Sequence, residues 1–306
     1  MLNILGKRYL FFAFSFIVIV TGLVLLFTHG DPRSIDFKGG TILELQFKSG
    51  VLPSTEQVMN IYNATGIKDA QIQTSGNDLL ILRSSTLDDT QRTTVISELT
   101  KLSDQEVTVL KADTVGASIG QGVTTRALWA VVVAAIAVVI YITFAFRGVQ
   151  HSFRYGICAI IAMVHDVLIV LALTGFGTTL WGWQVDSLYL TALLTVIGFS
   201  VQDKIVVFDR IRENSGIYRK LDFETLANHS IVQTLQRSIN TQLMTVEFLL
   251  LSLALFGGVT LREFAVILLV GLLSGTYSSI FIAAPILVVW EKKEWRTWFK
   301  KTPQAA

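Results

Sequence analysis

Leu188–Phe208 reads LYLTALLTVIGFSVQDKIVVF and runs on as Asp209–Arg210–Ile211–Arg212–Glu213–Asn214. The apolar part is long enough to cross a hydrocarbon core of about 30 Å as a helix, yet it carries Asp203 and Lys204. On insertion scales an ionisable group at the centre of a span costs roughly 2.5–3.5 kcal/mol. Groups that costly point to the handling of ions, protons or substrate. The plainer explanation is a Lys204 that snorkels to the interface with Asp203 as its local neighbour. The functional one is a proton-responsive Asp203.

Composition agrees with a membrane protein. The chain has 306 residues, of which 52% are hydrophobic and 16% charged, and its mean hydropathy is +0.57. That is more apolar than an ordinary globular domain. A lone cysteine, Cys158, excludes an internal disulfide framework and reads as a small buried hydrophobe. Apolar runs cover Tyr9–Phe27, Ala127–Phe146, Tyr155–Phe176, Leu188–Phe208, Leu243–Phe256 (extending back toward Arg237) and Phe264–Trp290. They predict six transmembrane helices. The first run is too long for a signal-peptide core, and its exit lacks a small-x-small cleavage site, so an uncleaved span is expected. The last run is longer than a span requires, which predicts a tilt or an interruption. Gly271, Ser274, Gly275, Ser278 and Ser279 give it a close-packing face.

Between the first two runs the pattern changes. Thr41–Phe47 alternates like a strand. Ser54–Ala64 is a helix opened by Ser54, with Gln57 at the capping-box position. Ala70–Thr74 and Leu79–Leu82 flank the turn signal Ser75–Gly76–Asn77–Asp78. Asp88–Leu102 is helical and Val107–Lys111 is a final strand. This β-α-β-β-α-β order predicts a ferredoxin-like α+β domain. The expected organisation is a first transmembrane helix over 1–30, the soluble domain over 31–113, a five-helix transmembrane domain over 114–291 and a basic tail over 292–306.

Lys and Arg orient the spans. Lys7 and Arg8 precede the first, Arg147 and Arg154 lie between the second and third, and Arg210, Arg212, Arg219, Lys220 and Arg237 lie between the fourth and fifth. Lys292, Lys293, Arg296, Lys300 and Lys301 follow the sixth. The opposite loops hold none in Gly177–Ser187 and Arg262 in Gly257–Glu263. The positive-inside rule then puts both termini in the cytoplasm and the soluble domain on the extracytoplasmic, periplasmic side. Trp181, Trp183, Trp290, Trp295 and Trp298 suit interfacial positions.

Four groups could carry chemistry. Asp203 with Lys204 is the first. Arg237 is the second, with Thr241 and Thr245 one and two turns further along the same face. It is a flanking arginine or the partner of Asp203 across helices, in which case protonation would be coupled to helix position. His165–Asp166 is the third, either a proton relay or a polar clasp between helices. Glu247 is the fourth, with no evident partner. Separately, Asp36–Phe37–Lys38–Gly39–Gly40 precedes the first strand as a turn in which glycines reach backbone conformations closed to other residues. Nucleophile elbow, zinc-ligand and phosphate-loop patterns are absent from the sequence, so an enzyme and a metal or other cofactor are not expected.

Several of these stretches together resemble one family. Ile35–Thr41 (IDFKGGT) is similar to the double-glycine signature of SecF, Val164–Val167 (VHDV) to its histidine–aspartate element, and Thr195–Asn214 (TVIGFSVQDKIVVFDRIREN) to its IGYSxNDTxVVFDRIREN stretch. Thr234–Thr241 (TLQRSINT), the LFGG of residues 255–258 and Leu269–Ile286 (LVGLLSGTYSSIFIAAPI) resemble its remaining segments. The resemblance covers nearly the whole chain. It implies the resistance-nodulation-division superfamily, partnership with SecD and the SecYEG translocon, further partners such as YajC and YidC, an unfolded polypeptide as cargo, and a coupling ion driven across the cell (inner) membrane. The family's functional Asp and Arg fall on Asp203 and Arg237. Gln202, Lys204, Gln242, Met244 and Glu247 depart from the usual pattern, and Lys204 puts a permanent candidate counter-charge beside Asp203, whether it faces that carboxylate or turns away. A small-molecule transporter of the superfamily and a non-transporting assembly scaffold are the rival functions.

Overall fold

A computed structural model describes residues 3–28, 30–48, 51–67, 69–103, 106–145, 147, 152–242, 248–257 and 259–296. Along the chain the elements are α1 (Arg8–Thr28), α2 (Ile35–Lys38), β1 (Gly40–Phe47), α3 (Thr55–Ala64), β2 (Gln71–Ser75), β3 (Leu79–Ser84), α4 (Asp89–Ser103) and β4 (Val107–Val115). There follow α5 (Ala117–Ala145), α6 (Ser152–Trp181), α7 (Ser187–Ile217), α8 (Phe223–Gln242), α9 (Phe248–Phe256), α10 (Val259–Ser278) and α11 (Ala284–Lys292), the last two joined by a π-helical turn, Ser279–Ala283. The chain divides into two compact units. One comprises residues 1–30, 131–183 and 188–306, the other 31–130 and 184–187.

The smaller unit is built on a four-stranded antiparallel sheet in the order β2-β3-β1-β4, so β1 and β2 are separated by the strand that follows them, as in a split β-α-β unit. Alternate residues of β1 (Leu43, Leu45, Phe47) and of β3 (Leu80, Leu82) point to one face. There they bury against Val58 and Tyr62 of α3 and Val95 and Leu99 of α4. Helix α3 starts at a capping box in which Ser54 and Gln57 satisfy each other's backbone amides. That pair removes two of the unpaired donors every helix start leaves.

The double glycine sits where the backbone needs it. Gly39 and Gly40 take φ of 81° and 138°. A Cβ on Gly39 would lie 2.7 Å from Ala117 Cα, and one on Gly40 would lie 2.4 Å from the Ser84 carbonyl oxygen. Within the same turn Phe37 is buried, and its carbonyl accepts a bond from Thr124 Oγ1 at 2.9 Å. Asp36 Oδ2 accepts from the Ser187 amide at 2.9 Å and hydroxyl at 2.7 Å.

The larger unit is helical. Among the described residues five helices are long and apolar enough to cross a membrane: Leu5–Thr28, Ala117–Ala145, Phe153–Trp181, Ser187–Ile217 and Leu261–Lys292. Of the apolar run expected as a further span, Leu243–Phe256, residues 243–247 lie outside the described residues, and α9 covers the remainder. Glu247 and Thr245 fall there, as do Trp298, Lys300 and Lys301 in the C-terminal segment.

Small residues set the helix spacing. A Cβ on Gly22 would come within 2.5 Å of Ala172, and one on Gly175 within 2.0 Å of the Gly22 carbonyl oxygen, so α1 and α6 touch backbone to backbone. A Cβ on Gly271 would meet Val196 at 2.3 Å, which brings α10 close against α7. At one end of the bundle Arg8 pairs with Glu224 at 2.8 Å and Glu294 at 2.5 Å, and Lys292 pairs with Glu224 and, at 3.3 Å, with Asp222. The Lys292 ammonium and the Arg8 guanidinium hold the Glu224 carboxyl below its ordinary range.

The helices overrun the apolar stretches. α6 continues to Trp181 and α7 through the charged segment Asp209–Asn214 to Ile217. Its charges pair one turn apart, Arg210 with Glu213 at 2.6 Å and Arg212 with Asp209 at 2.7 Å. Asn214 is buried and donates to Ser230 Oγ at 2.8 Å on α8. Cys158 is buried, as its apolar surroundings predict.

Candidate functional site

Two carboxylates lie inside the helical unit, and α10 with its π turn serves both. Asp166, on α6, is 1% exposed and Asp203, on α7, 7%. Asp166 receives five donors. Oδ1 accepts from Ser274 Oγ at 2.9 Å and faces His165 Nδ1 at 3.1 Å, while Oδ2 accepts from Ser200 Oγ at 2.6 Å, Lys204 Nζ at 2.7 Å and Ser278 Oγ at 2.7 Å. Among the described residues Asp203 receives two: Ser238 Oγ to Oδ1 at 2.9 Å and Ser279 Oγ to Oδ2 at 3.0 Å.

The two adjacent serines therefore address different carboxylates. Ser274 and Ser278 are one α-helical turn apart and share a face. Ser279 opens the π turn, about a quarter-turn further round, and points to Asp203. Single π turns inside α-helices recur at functional sites because they re-aim side chains without ending the helix. Pro285, in the first turn of α11, follows directly.

Lys204 is not the counter-charge of Asp203 that the sequence suggests. Adjacent helical residues diverge by about 100°, and Lys204 curls back over its own preceding turn, bonding the Ser200 carbonyl oxygen at 3.0 Å and reaching Asp166. Nor does it snorkel, since its side chain is 0% exposed. Asp166, on α6, bonds side chains of α7 and α10, so the His165–Asp166 pair bridges three helices. His165 stacks on Tyr277, with ring centroids 6.2 Å apart, and Tyr277 in turn donates to the Phe11 carbonyl and accepts from Ser15 on α1.

Arg237 shares a cavity with Asp203. Phe199, Gln202, Val206, Ser238, Thr241 and Leu272 complete a lining around about 70 Å³, room for several waters. Arg237 itself is exposed at the surface of the chain. Among the described residues neither Asp203 nor Arg237 forms an ion pair, so the two are brought to one cavity without being joined. No group of three metal-ligating side chains occurs among the described residues. Sequence reasoning missed the hydrogen-bonding work of Ser200, Ser238, Ser274, Ser278 and Ser279. The available signal was Ser200 three residues before Asp203 and four before Lys204, and Ser274 four residues before Ser278.

In the smaller unit, Arg33, Ser34, Lys38, Asp69, Gln71 and Arg83 line a cleft of about 390 Å³. Its charges are internally matched in part: Arg33 clamps Asp31 in a two-pronged contact, with Nη2 at 2.7 Å, and holds that carboxyl at about 2.

A helical bundle with carboxylates paired to serines and a lysine across spans defines a polytopic α-helical membrane protein. Residues 94–293 match the model of the C-terminal part of the protein export membrane proteins SecD/SecF, and residues 24–51 match the SecD/SecF GG motif. The chain is 65% identical over 306 residues to protein translocase subunit SecF of Anaerolinea thermophila, covering 100% of this chain and 99% of the relative. It is 41% identical to that of Thermobaculum terrenum, again covering 100% and 99%. The crystal structure of SecDF, a translocon-associated membrane protein from Thermus thermophilus, superposes with a TM-score of 0.83 at 32% identity, over 95% of this chain. The chain spans 39% of that longer one. The chain belongs to the SecF family of protein translocase subunits.

Proposed function

We propose that this protein, joined to SecD, couples ion movement down the proton-motive force to the export of unfolded polypeptides through SecYEG, with YajC and YidC as further partners. It is an ion-driven motor subunit of the resistance-nodulation-division type, and no turnover of a small-molecule substrate is assigned to it. Six spans cross the cell (inner) membrane, the termini are cytoplasmic and the smaller unit is periplasmic. The asymmetric distribution of Lys and Arg supports that orientation.

One observation carries the proposal: Asp203 is buried, held by two hydroxyls, free of any ion pair among the described residues, and lines the same small cavity as Arg237. A carboxylate so placed takes up a proton without breaking a salt bridge, and once ionised it attracts the guanidinium across the cavity. The protonation state thereby biases the packing of α7 against α8, a two-state element in the sense that a small free-energy difference shifts its populations. Moving one charge across the membrane supplies roughly 2.3 kcal/mol per 100 mV, enough for that bias. Membrane vesicles carrying Asp203→Asn in complex with SecD should assemble normally and lose the stimulation of export by the proton-motive force. Undiminished stimulation in that variant refutes the assignment.

A further inference from the structure

Lys204 belongs to no step above, yet it is a fully buried ammonium. Its Nζ contacts Asp166 Oδ2 at 2.7 Å, the Ser200 carbonyl oxygen at 3.0 Å and Ser200 Oγ at 2.5 Å. A carboxylate, a carbonyl and a hydroxyl oxygen converging on one point form the oxygen-rich surroundings that suit a hard cation. Ser274 and Ser278 hold the carboxylate from the other side. An ammonium is a compact point charge at the end of a flexible stem and carries the single positive charge of an alkali-metal ion.

We infer that Lys204 is a tethered cation, its ammonium permanently filling a seat at Asp166 that has the chemistry of a sodium site. The geometry makes the tether effective. Ser200 and Lys204 are four residues apart on α7, so the side chain reaches the seat by folding back along its own helix, the direction helical side chains favour. Because the ion is covalently attached, a free cation has to displace a group that cannot diffuse away, and Asp166 stays compensated while anything exchanges at the neighbouring carboxylate. The consequence for Asp203 rests on the proposed function. The occupancy of the seat does not.

The test therefore measures binding without transport. Every variant of the full-length chain carries Asp203→Asn, so that the second carboxylate contributes nothing, and is reconstituted in lipid nanodiscs. Thermal unfolding is followed in sodium chloride and in choline chloride at equal ionic strength. With Lys204 in place the melting temperature should be the same in both salts. Lys204→Thr opens the seat and leaves a hydroxyl in it, and sodium should then raise the melting temperature saturably, by about 2–4 °C or more. Adding Asp166→Asn to that variant should abolish the rise. Lys204→Thr indifferent to sodium overturns the inference, and so does a sodium response with Lys204 present. The latter comparison needs no substitution at 204, so it can overturn the inference even where Lys204→Thr fails to fold.

Discussion

Asp166 and Asp203 sit on neighbouring helices, receive hydroxyls from the same α10 and its π turn, and end in opposite situations. Asp166 is closed: five donors, one of them a charged ammonium, and 1% exposure. Among the described residues Asp203 has two neutral donors and no ion pair, and it lines a cavity together with Arg237. Two buried carboxylates need not do the same work. Asp166 is held by a buried ammonium as well as hydroxyls, whereas Asp203, among the described residues, is held by hydroxyls alone and borders a cavity.

The sharpest way to break this contrast is Asp203→Asn, expected to remove ion-driven export while the folded complex persists, as read in vesicles. The next is Asp166→Asn. It strands the Lys204 ammonium in the bundle and should destabilise the chain by about 3–5 kcal/mol, measured by denaturant unfolding in detergent. Adding Lys204→Met should recover most of that loss, and a double variant no more stable than Asp166→Asn alone would show that the pair is not what Asp166 is for. Gly175→Ala, which would drive a Cβ to 2.0 Å from a backbone oxygen of α1, should cost about 1–3 kcal/mol without touching either carboxylate. It separates general packing damage from damage to the ionic centre.

The smallest effect belongs to the other unit. The Asp31 carboxyl sits at about 2 because Arg33 bonds it. A lowered value in the folded state stabilises at pH above the unfolded value near 3.9 and is lost as pH falls through about 2. Since the pair is 42–50% exposed, screening keeps its worth below about 1 kcal/mol. Asp31→Asn should flatten acid unfolding of the chain by no more than that between pH 4 and 2.

Much of this was legible in the residues. The order of strands and helices in the smaller unit follows from alternation, a capping box and an Asn-Asp turn, all local. Asp203, Arg237 and the histidine–aspartate pair stand out because polar groups in apolar runs are expensive wherever they point. Helix ends were less legible. An apolar run stops where the hydrocarbon stops, whereas α7 continues for nine residues beyond Phe208 on its charge pairs and on Asn214 buried against Ser230. The serines read as a close-packing stripe, which they are, but their hydroxyls are also the ligands of both carboxylates.

By itself the sequence determined that ionisable groups lie within membrane-spanning helices and which residues they are, because hydropathy and spacing are properties of one segment at a time. Which charge meets which was decided by the tertiary structure. Asp203 and Lys204 are neighbours in the chain and face different helices, and Lys204 finds Asp166, 38 positions away. That pairing depends on α6 lying beside α7, and the serines that reach each carboxylate depend on how closely α10 approaches and on where the π turn aims Ser279; no periodicity within a single helix encodes either.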